Sequence, residues 1–339
     1  MDAPESILVI RRDNIGDLVC TTPLLSALRA HFAKARIEVF ANSYNAPVLK
    51  GNPDVDQVHV YSKLKHLGGN GGTIGALGAR ISMLWELRRR RMDLVIVASG
   101  DQDKRAARLA SLLGARRVVC SEHAVPGQHE VERTFTAARQ LDIQGPIPNL
   151  RIVPDAASVR GVRLEFERAH HYPACEVVGL HISARRTTQR WPAEHFAKLA
   201  IALHERRRAA VLLFWSPGGG DNAQHPGDDE KARQIQELTT GAARLLPWPT
   251  ARLPELVGGL AACDAVICSD GGAMHLAAGL GKPIACFFGD SPVARWRPWG
   301  VPHIVLQAPS HRVEDVSVES AIAAVETVLQ GRAVSADKV

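Results

Sequence analysis

Short apolar runs alternate along the chain with stretches whose apolar residues recur at helical spacing, and Gly, Pro, Asn and Asp punctuate the joins. This rhythm predicts strands and helices in turn, hence an α/β chain with parallel sheets. In the first half it predicts strands over 6–10, 36–41, 58–61, 93–98 and 117–120, and helices over 18–32, 81–91, 104–113 and 130–141. Gly114 closes the third of these helices. Residues 62–78, SKLKHLGGNGGTIGALG, break the rhythm. They read as a long mobile loop, either a substrate lid carrying Lys63 and Lys65 or a merely flexible connection. Residues 143–155, rich in Pro and Gly, read as a connection, and 159–168 as a helix before a linker over 170–174. The rhythm restarts at a strand over 176–181, which places a boundary near residue 172 and domains at 1–172 and 173–339. The second half predicts strands over 209–215, 243–246, 265–268 and 283–288. It predicts helices over 193–206, 228–239, 253–263, 273–280 and 318–329, then a disordered tail from 331.

Two of the strand-to-helix joins carry candidate chemistry. In VICSDGGAMHLAAGLGKPIACFF (266–288) a buried strand ends in Ser269-Asp270-Gly271-Gly272 and runs into a helix of small residues. Paired glycines let the backbone approach a ligand, and the free N–H groups of the helix start form an anion site. Asp270 suits sugar or ribose hydroxyls, or it only caps the helix. His275 falls in the first turn beside that anion, or it is a satisfied helix residue. The first join, Arg11-Arg12-Asp13-Asn14-Ile15-Gly16-Asp17, has a single Gly and lacks G-x-G-x-x-G, so it is not a dinucleotide fingerprint. Asp17 lies at a helix N-terminus, which keeps a carboxylate ionised and ready to take a proton from a hydroxyl; the alternative is a capping role alone. Lys104, Arg105 and Arg108 at the start of a helix oppose its dipole and hint at an anion beyond them. Residues 182–192, ISARRTTQRWP, are dense in phosphate donors. Pro247 and Trp248, following a short strand, are placed to frame a base.

Composition narrows the picture in three ways. With 339 residues, 46% of them hydrophobic, the chain is long enough for two domains with sizeable cores. The net charge of +6 suits anionic ligands, anionic lipid or nucleic acid without choosing among them, but only 5% of residues are aromatic and no aromatic platform for RNA appears, so no nucleic-acid partner is expected. The six cysteines show no C-x-x-C spacing and read as small buried hydrophobes of a reducing compartment. The opening MDAPESILVI lacks the features of a secretory signal and no apolar run reaches the length of a membrane span, so a soluble cytoplasmic protein is expected.

The stretch ILVIRRDNIGDLVCTTPLLSAL resembles the N-terminal signature of the family 9 glycosyltransferases, the ADP-heptose:lipopolysaccharide heptosyltransferases. SDGGAMHLAAGLGKPIACFFGDSPVARWRPWG resembles their C-terminal signature, and RWP followed by AEHFAKLA their middle motif. The motifs fall in the right order over nearly the whole chain, and I-G-D paired with D-G-G-x-x-H is specific.

The resemblance implies an α/β GT-B fold, two Rossmann-like domains with a cleft between them, the first binding the acceptor, the second the nucleotide-sugar donor, and the final helix crossing back to the first. It implies inverting transfer of a heptose from ADP-heptose to a lipopolysaccharide core acceptor, with no cofactor and no catalytic metal. By that resemblance Asp17 is the general base, Asp270 binds donor sugar hydroxyls, and the backbone of Gly271, Gly272 and Ala273 stabilises the pyrophosphate. Thr187, Thr188, Gln189 and Arg190 clamp the same phosphates, with Pro247 and His275 on the donor side. Lys63, Lys65 and Arg105 form a positive surface toward an anionic glycolipid, with peripheral contact at the inner membrane. The chain departs from the family pattern at Gln189, where Lys is usual, leaving phosphate charge to Arg185, Arg186 or Arg190, and at Gly271, where Thr or Ser is common. Two further readings stay open: a family relative using another nucleotide sugar or acceptor, such as O-antigen or a protein, and a non-catalytic nucleotide-sugar-binding protein.

Overall fold

The computed structural model describes residues 3–61, 70–100, 102–170, 175–220 and 226–331. The chain divides into two compact units, Met1–Val153 and Pro154–Val339. In the first, strands β1 (Ser6–Ile10), β2 (Arg36–Asn42), β3 (Gln57–Tyr61), β4 (Leu94–Val97) and β5 (Arg117–Cys120) form a parallel sheet of order β3-β2-β1-β4-β5. Helices α1 (Ile15–Val19), α2 (Thr22–His31), α3 (Asn70–Arg90), α4 (Lys104–Leu113) and α5 (Glu130–Arg139) connect and follow the strands. Because helices cover such a sheet on both faces, its central strands are apolar runs without alternation. Ile7 through Ile10 and Leu94 through Val97 are accordingly buried. Leu87 and Met92 dock the end of α3 on this core with Leu109, Ala110 and Leu113 of α4.

The second unit opens with α6 (Ala156–His170). Its strands are β6 (Val177–His181), β7 (Ala210–Trp215), β8 (Arg244–Pro249), β9 (Ala265–Ser269), β10 (Ile284–Phe288) and β11 (His303–Gln307). They pair in parallel in the order β11-β10-β9-β6-β7-β8. Between them run α7 (Ala193–Arg207), α8 (Asp229–Thr239), α9 (Leu253–Ala262), α10 (Gly272–Gly279) and α11 (Val293–Trp296), and α12 (Val318–Leu329) closes the unit. Trp191 is the largest fully buried side chain. Its ring packs on Phe196 and Phe287, and its indole N–H donates to the Val316 carbonyl at 2.9 Å. The loop over 182–192 is therefore anchored in the core. Helix α12 packs on α7 and on strands β9, β10 and β11 of its own unit.

Several elements differ from the sequence expectation. The helix expected over 18–32 is two helices with a break at Cys20-Thr21. Pro23 stands in the first turn of α2, where its missing N–H costs nothing; in one continuous helix its ring would strike the carbonyl of Val19. That carbonyl instead accepts from the Thr22 hydroxyl at 2.7 Å. Helix α3 begins at Asn70 rather than 81, so residues 70–78 are not loop. Extending a helix already docked by Leu84 and Leu87 is far cheaper than nucleating one, which offsets the low propensity of its glycines. The rest of the expected loop, with Lys63 and Lys65, and the tail from 332 lie outside the described residues.

Strand β8 runs through Pro247 and Trp248, which pair with Leu213 and Phe214 rather than following the strand. Its place at the sheet edge is what lets it carry Pro. The unit boundary falls at 153/154 and not near 172, because α6 packs on α9: a Cβ on Gly258 would sit 3.0 Å from Ser158 Cβ. Among the described residues no helix is long and apolar enough to cross a membrane.

Candidate active site

Each sheet reverses its strand order once. In the first unit β1 lies between β2 and β4, and in the second β6 lies between β7 and β9. Beyond the carboxyl ends of the strands at such a reversal, successive connections leave in opposite directions and open a crevice where ligands bind. Both candidate motifs sit there: residues 11–17 follow β1, and Asp270 and Gln189 follow β9 and β6.

In the first unit the crevice is built on a buried guanidinium. Arg11, 1% exposed, donates from Nη2 to Asp17 Oδ1 at 2.9 Å and to Glu130 Oε1 at 2.8 Å, and from Nη1 to the Ala98 carbonyl at 2.7 Å. Its Nε lies 3.1 Å from Asp13 Oδ2. Arg133 clasps Glu130 from the other side through Nε and Nη2. The β1–α1 loop is pinned from β2, where the Asn42 amide donates to the carbonyls of Arg12 and Asp13. Asp17 is the third residue of α1 and completes a capping box: its Oδ2 accepts from the Asn14 backbone N–H and side-chain amide, both at 3.0 Å. The capping role weighed from the sequence is thus real. A carboxylate offers about four acceptor sites, and three are filled by Arg11 and Asn14.

The charges in this cluster set its acidities. Burial raises the Glu130 carboxyl, but hydrogen bonds and charge from Arg133 and Arg11 outweigh it and bring it to about 2. Burial also raises the Asp13 carboxyl, and Asp17, Asp103 and Glu130 add to the rise against Arg11. Glu130 and Arg133 gave no signal in the sequence, since 119 residues separate Glu130 from Arg11.

In the second unit three connections converge: the loop after β6 with its 3-10 turn Thr187–Gln189, the turn after β9, and the turn after β10. Gln189 is buried and its amide donates to Asp270 Oδ2 at 3.2 Å and to Ser291 Oγ at 2.9 Å. Ser269 Oγ donates to the Gln189 carbonyl at 2.6 Å. Burial raises the Asp270 carboxyl above its ordinary value; Ser291, Arg186 and Gln189 oppose this only in part. An ammonium in place of the carboxamide would oppose it further, so Gln189 leaves the carboxylate without a buried cation. Asp270 does not cap α10. The cap is Gly271, at φ 156° and ψ −168°, a conformation essentially restricted to glycine. With no side chain capping them, the first N–H groups of α10, from Gly272 and Ala273 onward, stay available to an anion.

The cations are arranged around this turn. Arg190 Nη1 donates to Asp228 Oδ1 at 3.0 Å and its Nε to the Ala184 carbonyl at 3.0 Å. Arg186 and the Thr188 hydroxyl both donate to Asp290 Oδ1, each at 3.2 Å. Arg185 is exposed and, among the described residues, in no ion pair. Lys231 lies over the Phe196 ring and donates to the Ile182 carbonyl. Burial lowers its ammonium to about 8, with Arg190 adding to the effect against Asp228.

Of the donor-side residues read from the sequence, Thr188, Gln189, Asp270, Gly271 and Gly272 are brought together, with Thr187, Arg190 and Ala273 beside them. His275 is buried on α10 with its ring edge-on to Trp296. Pro247 is set apart on β8, two strands from β6. Ser291 and Asp290 were missed, although GDS follows the last strand of the same signature. Arg105 is exposed on α4.

The family model for glycosyltransferase family 9 (heptosyltransferase) matches residues 86–323. Lipopolysaccharide heptosyltransferase 3 of Escherichia coli K12 is 26% identical over 357 residues, covering 95% of this chain and 98% of that protein. The crystal structure of a family 9 glycosyl transferase from Veillonella parvula superposes with a TM-score of 0.81 at 21% identity, over 98% of this chain and 99% of that one. The E. coli heptosyltransferase WaaC with ADP-2-deoxy-2-fluoro heptose gives 0.72 at 19% identity, over 95% and 99%. The two doubly wound parallel sheets are thus the fold of these enzymes. With its family model matched over most of its length, the chain belongs to glycosyltransferase family 9, the heptosyltransferase family, and is a glycosyltransferase.

Proposed function

We propose that the chain transfers a heptose from ADP-heptose to a lipopolysaccharide core sugar with inversion at the anomeric carbon. The observation that carries the reading is the turn after β9: Asp270 beside an uncapped helix start whose N–H groups face the switch point. A heptosyltransferase of the same fold is solved with an ADP-heptose analogue, which supports the donor class. In this reading Asp270 takes sugar hydroxyls. The α10 N–H groups, Thr187, Thr188 and the free guanidinium of Arg185 take the diphosphate. The acceptor hydroxyl gives its proton to Asp17 as its oxygen bonds to the anomeric carbon, and the bond to the diphosphate oxygen breaks with both electrons leaving on ADP. Arg11 and the capping box hold the carboxylate still while it does so.

A second reading, transfer from another nucleotide sugar, is favoured by one observation, the neutral Gln189 at the place of a cation. Calorimetric titration of ADP-heptose against UDP- and GDP-sugars separates the two. Tight ADP-heptose binding lost in Asp270→Ala supports the first; preference for another nucleotide supports the second; no nucleotide binding sinks the donor site. Asp17→Asn should retain donor binding and lose transfer by a factor on the order of a thousand. Full activity in that variant would remove Asp17 as the base.

A further inference from the structure

Arg11 turns one edge of its guanidinium, Nε with Nη2, to three carboxylates. Such an edge ordinarily grips a single carboxylate through two parallel N–H bonds. Here Nη2 donates to Asp17 and Glu130, while Nε stands 3.1 Å from Asp13 Oδ2. That last contact is an ion pair without a hydrogen bond: Arg11 Nε, although buried, has no hydrogen-bond partner among the described residues. The three carboxylates are graded in exposure, with side chains 0% exposed at Glu130, 11% at Asp17 and 30% at Asp13. Glu130 is clasped by Arg11 and Arg133, and Asp17 is held by Arg11 and Asn14. Among the described residues no hydrogen bond reaches the Asp13 carboxylate, so its acceptor capacity is open. The backbone beneath it is fixed, because the Asn42 amide donates to the Asp13 carbonyl at 3.0 Å. Arg11 and Arg133 carry two positive charges, and Glu130 and Asp17 already match them, so Asp13 adds a surplus negative charge.

We propose that Asp13 binds a second hydroxyl of the acceptor sugar, vicinal to the one whose proton Asp17 takes, and so selects acceptors with a free hydroxyl beside the attacked one. The inference rests on the reading of Asp17 as the base. Because Asp13 and Asp17 divide one guanidinium edge, the two carboxylates lie side by side, as do the oxygens on adjacent carbons of a sugar ring. Each hydroxyl donates one hydrogen bond to a charged acceptor. A single such bond leaves the sugar free to turn about it; two fix the ring and aim the attacking oxygen. A hydroxyl fits this place and a phosphate does not, since the surplus charge repels a second anion. Burial, with Asp17, Asp103 and Glu130 nearby, raises the Asp13 carboxyl, and a donated hydroxyl bond favours its ionised form.

Steady-state transfer by the full chain tests it, with ADP-heptose as donor and a heptose-terminated core oligosaccharide as acceptor. The linkage of the product identifies the attacked hydroxyl, and a matched deoxy acceptor lacks the hydroxyl beside it. Asp13→Ala should raise the acceptor KM on the order of tenfold to a hundredfold, the loss of one hydrogen bond to a charged group. Its kcat and donor KM should hold, because the bond is as strong in the ground state as in the transition state. Asp13→Asn keeps a carbonyl oxygen at the same place and should fall between Asp13→Ala and the parent. On the deoxy acceptor, parent and variants should share one raised KM, since hydroxyl and carboxylate act only as a pair. Equal KM in parent and variants on the full acceptor overturns the proposal, as does an effect of the same factor on both acceptors. A fall in kcat and melting temperature in both variants at unchanged KM would make Asp13 a structural partner of Arg11 and overturns it too. A parent that makes no product sinks the reading of Asp17 and this inference together; a parent that transfers with a KM indifferent to Asp13 sinks this inference alone.

Discussion

Replacing Glu130 with Gln tests whether the Arg11 cluster stabilises the first unit through charge. The side chain is fully buried, keeps its shape as Gln, and loses only its charge and one pattern of acceptors. Arg11 then keeps Asp17 and Asp13 but loses the third carboxylate, and Arg133 loses its carboxylate partner. A carboxyl held at about 2 in the fold against an ordinary 4.5 corresponds to about 3 kcal/mol of stability at neutral pH. The folded value is depressed, so this contribution is complete above the unfolded value and drains away as pH falls from about 4.5 toward about 2. Urea unfolding of parent and Glu130→Gln should differ by about 3 kcal/mol at pH 7, in the range seen when one partner of a buried pair is removed. The difference should be about 1 kcal/mol smaller at pH 4, because the parent has begun to lose what the variant never had. A difference under about 0.5 kcal/mol at neutral pH, or one that stays the same at the two pH values, would refute the reasoning.

Gln189→Lys places an ammonium within reach of Asp270 Oδ2, where the carboxamide now donates at 3.2 Å. ADP binding should tighten by on the order of 1 kcal/mol in calorimetry, and unchanged affinity would remove position 189 from the phosphate contacts. Gly259→Ala builds a Cβ 2.4 Å from Phe214 Cε1 and 3.2 Å from Trp248 Cδ1. Both rings are held in the sheet, so the variant should lose about 1–3 kcal/mol of stability, and an unaltered melting temperature would show that α9 can retreat from β7.

Every strand but β11, the α4 boundaries closed by Gly114, and the turn after β9 were legible in the sequence, because each rests on local rules. Apolar runs mark strands covered on both faces, helical spacing marks helices, and glycine marks a helix end in the left-handed region. The motif residues of the two switch points were legible for the same reason: they are contiguous. What escaped was whatever depends on a partner far along the chain. The break between α1 and α2 has a local cause in Pro23, yet the Thr22 hydroxyl that donates to the Val19 carbonyl there also accepts from the Arg151 backbone N–H, 129 positions on. Helix α6 reads as the end of the first domain, and only its contact with α9 assigns it to the second unit. Strand β11 is a half-buried sheet edge with polar ends, so its pattern is weak until β10 supplies its register.

The chemistry divides along the same line. By itself the sequence determined the α/β class with parallel sheets and placed Asp17 and Asp270 at strand-to-helix joins. The tertiary structure alone decided that Arg11 is shared with Glu130 across 119 positions and that Gln189 meets Asp270 and Ser291 across 81 and 102. The physical reason is the strand reversal in each sheet. It brings the ends of strands distant in sequence side by side, and there buried charges find their partners at separations no local pattern encodes.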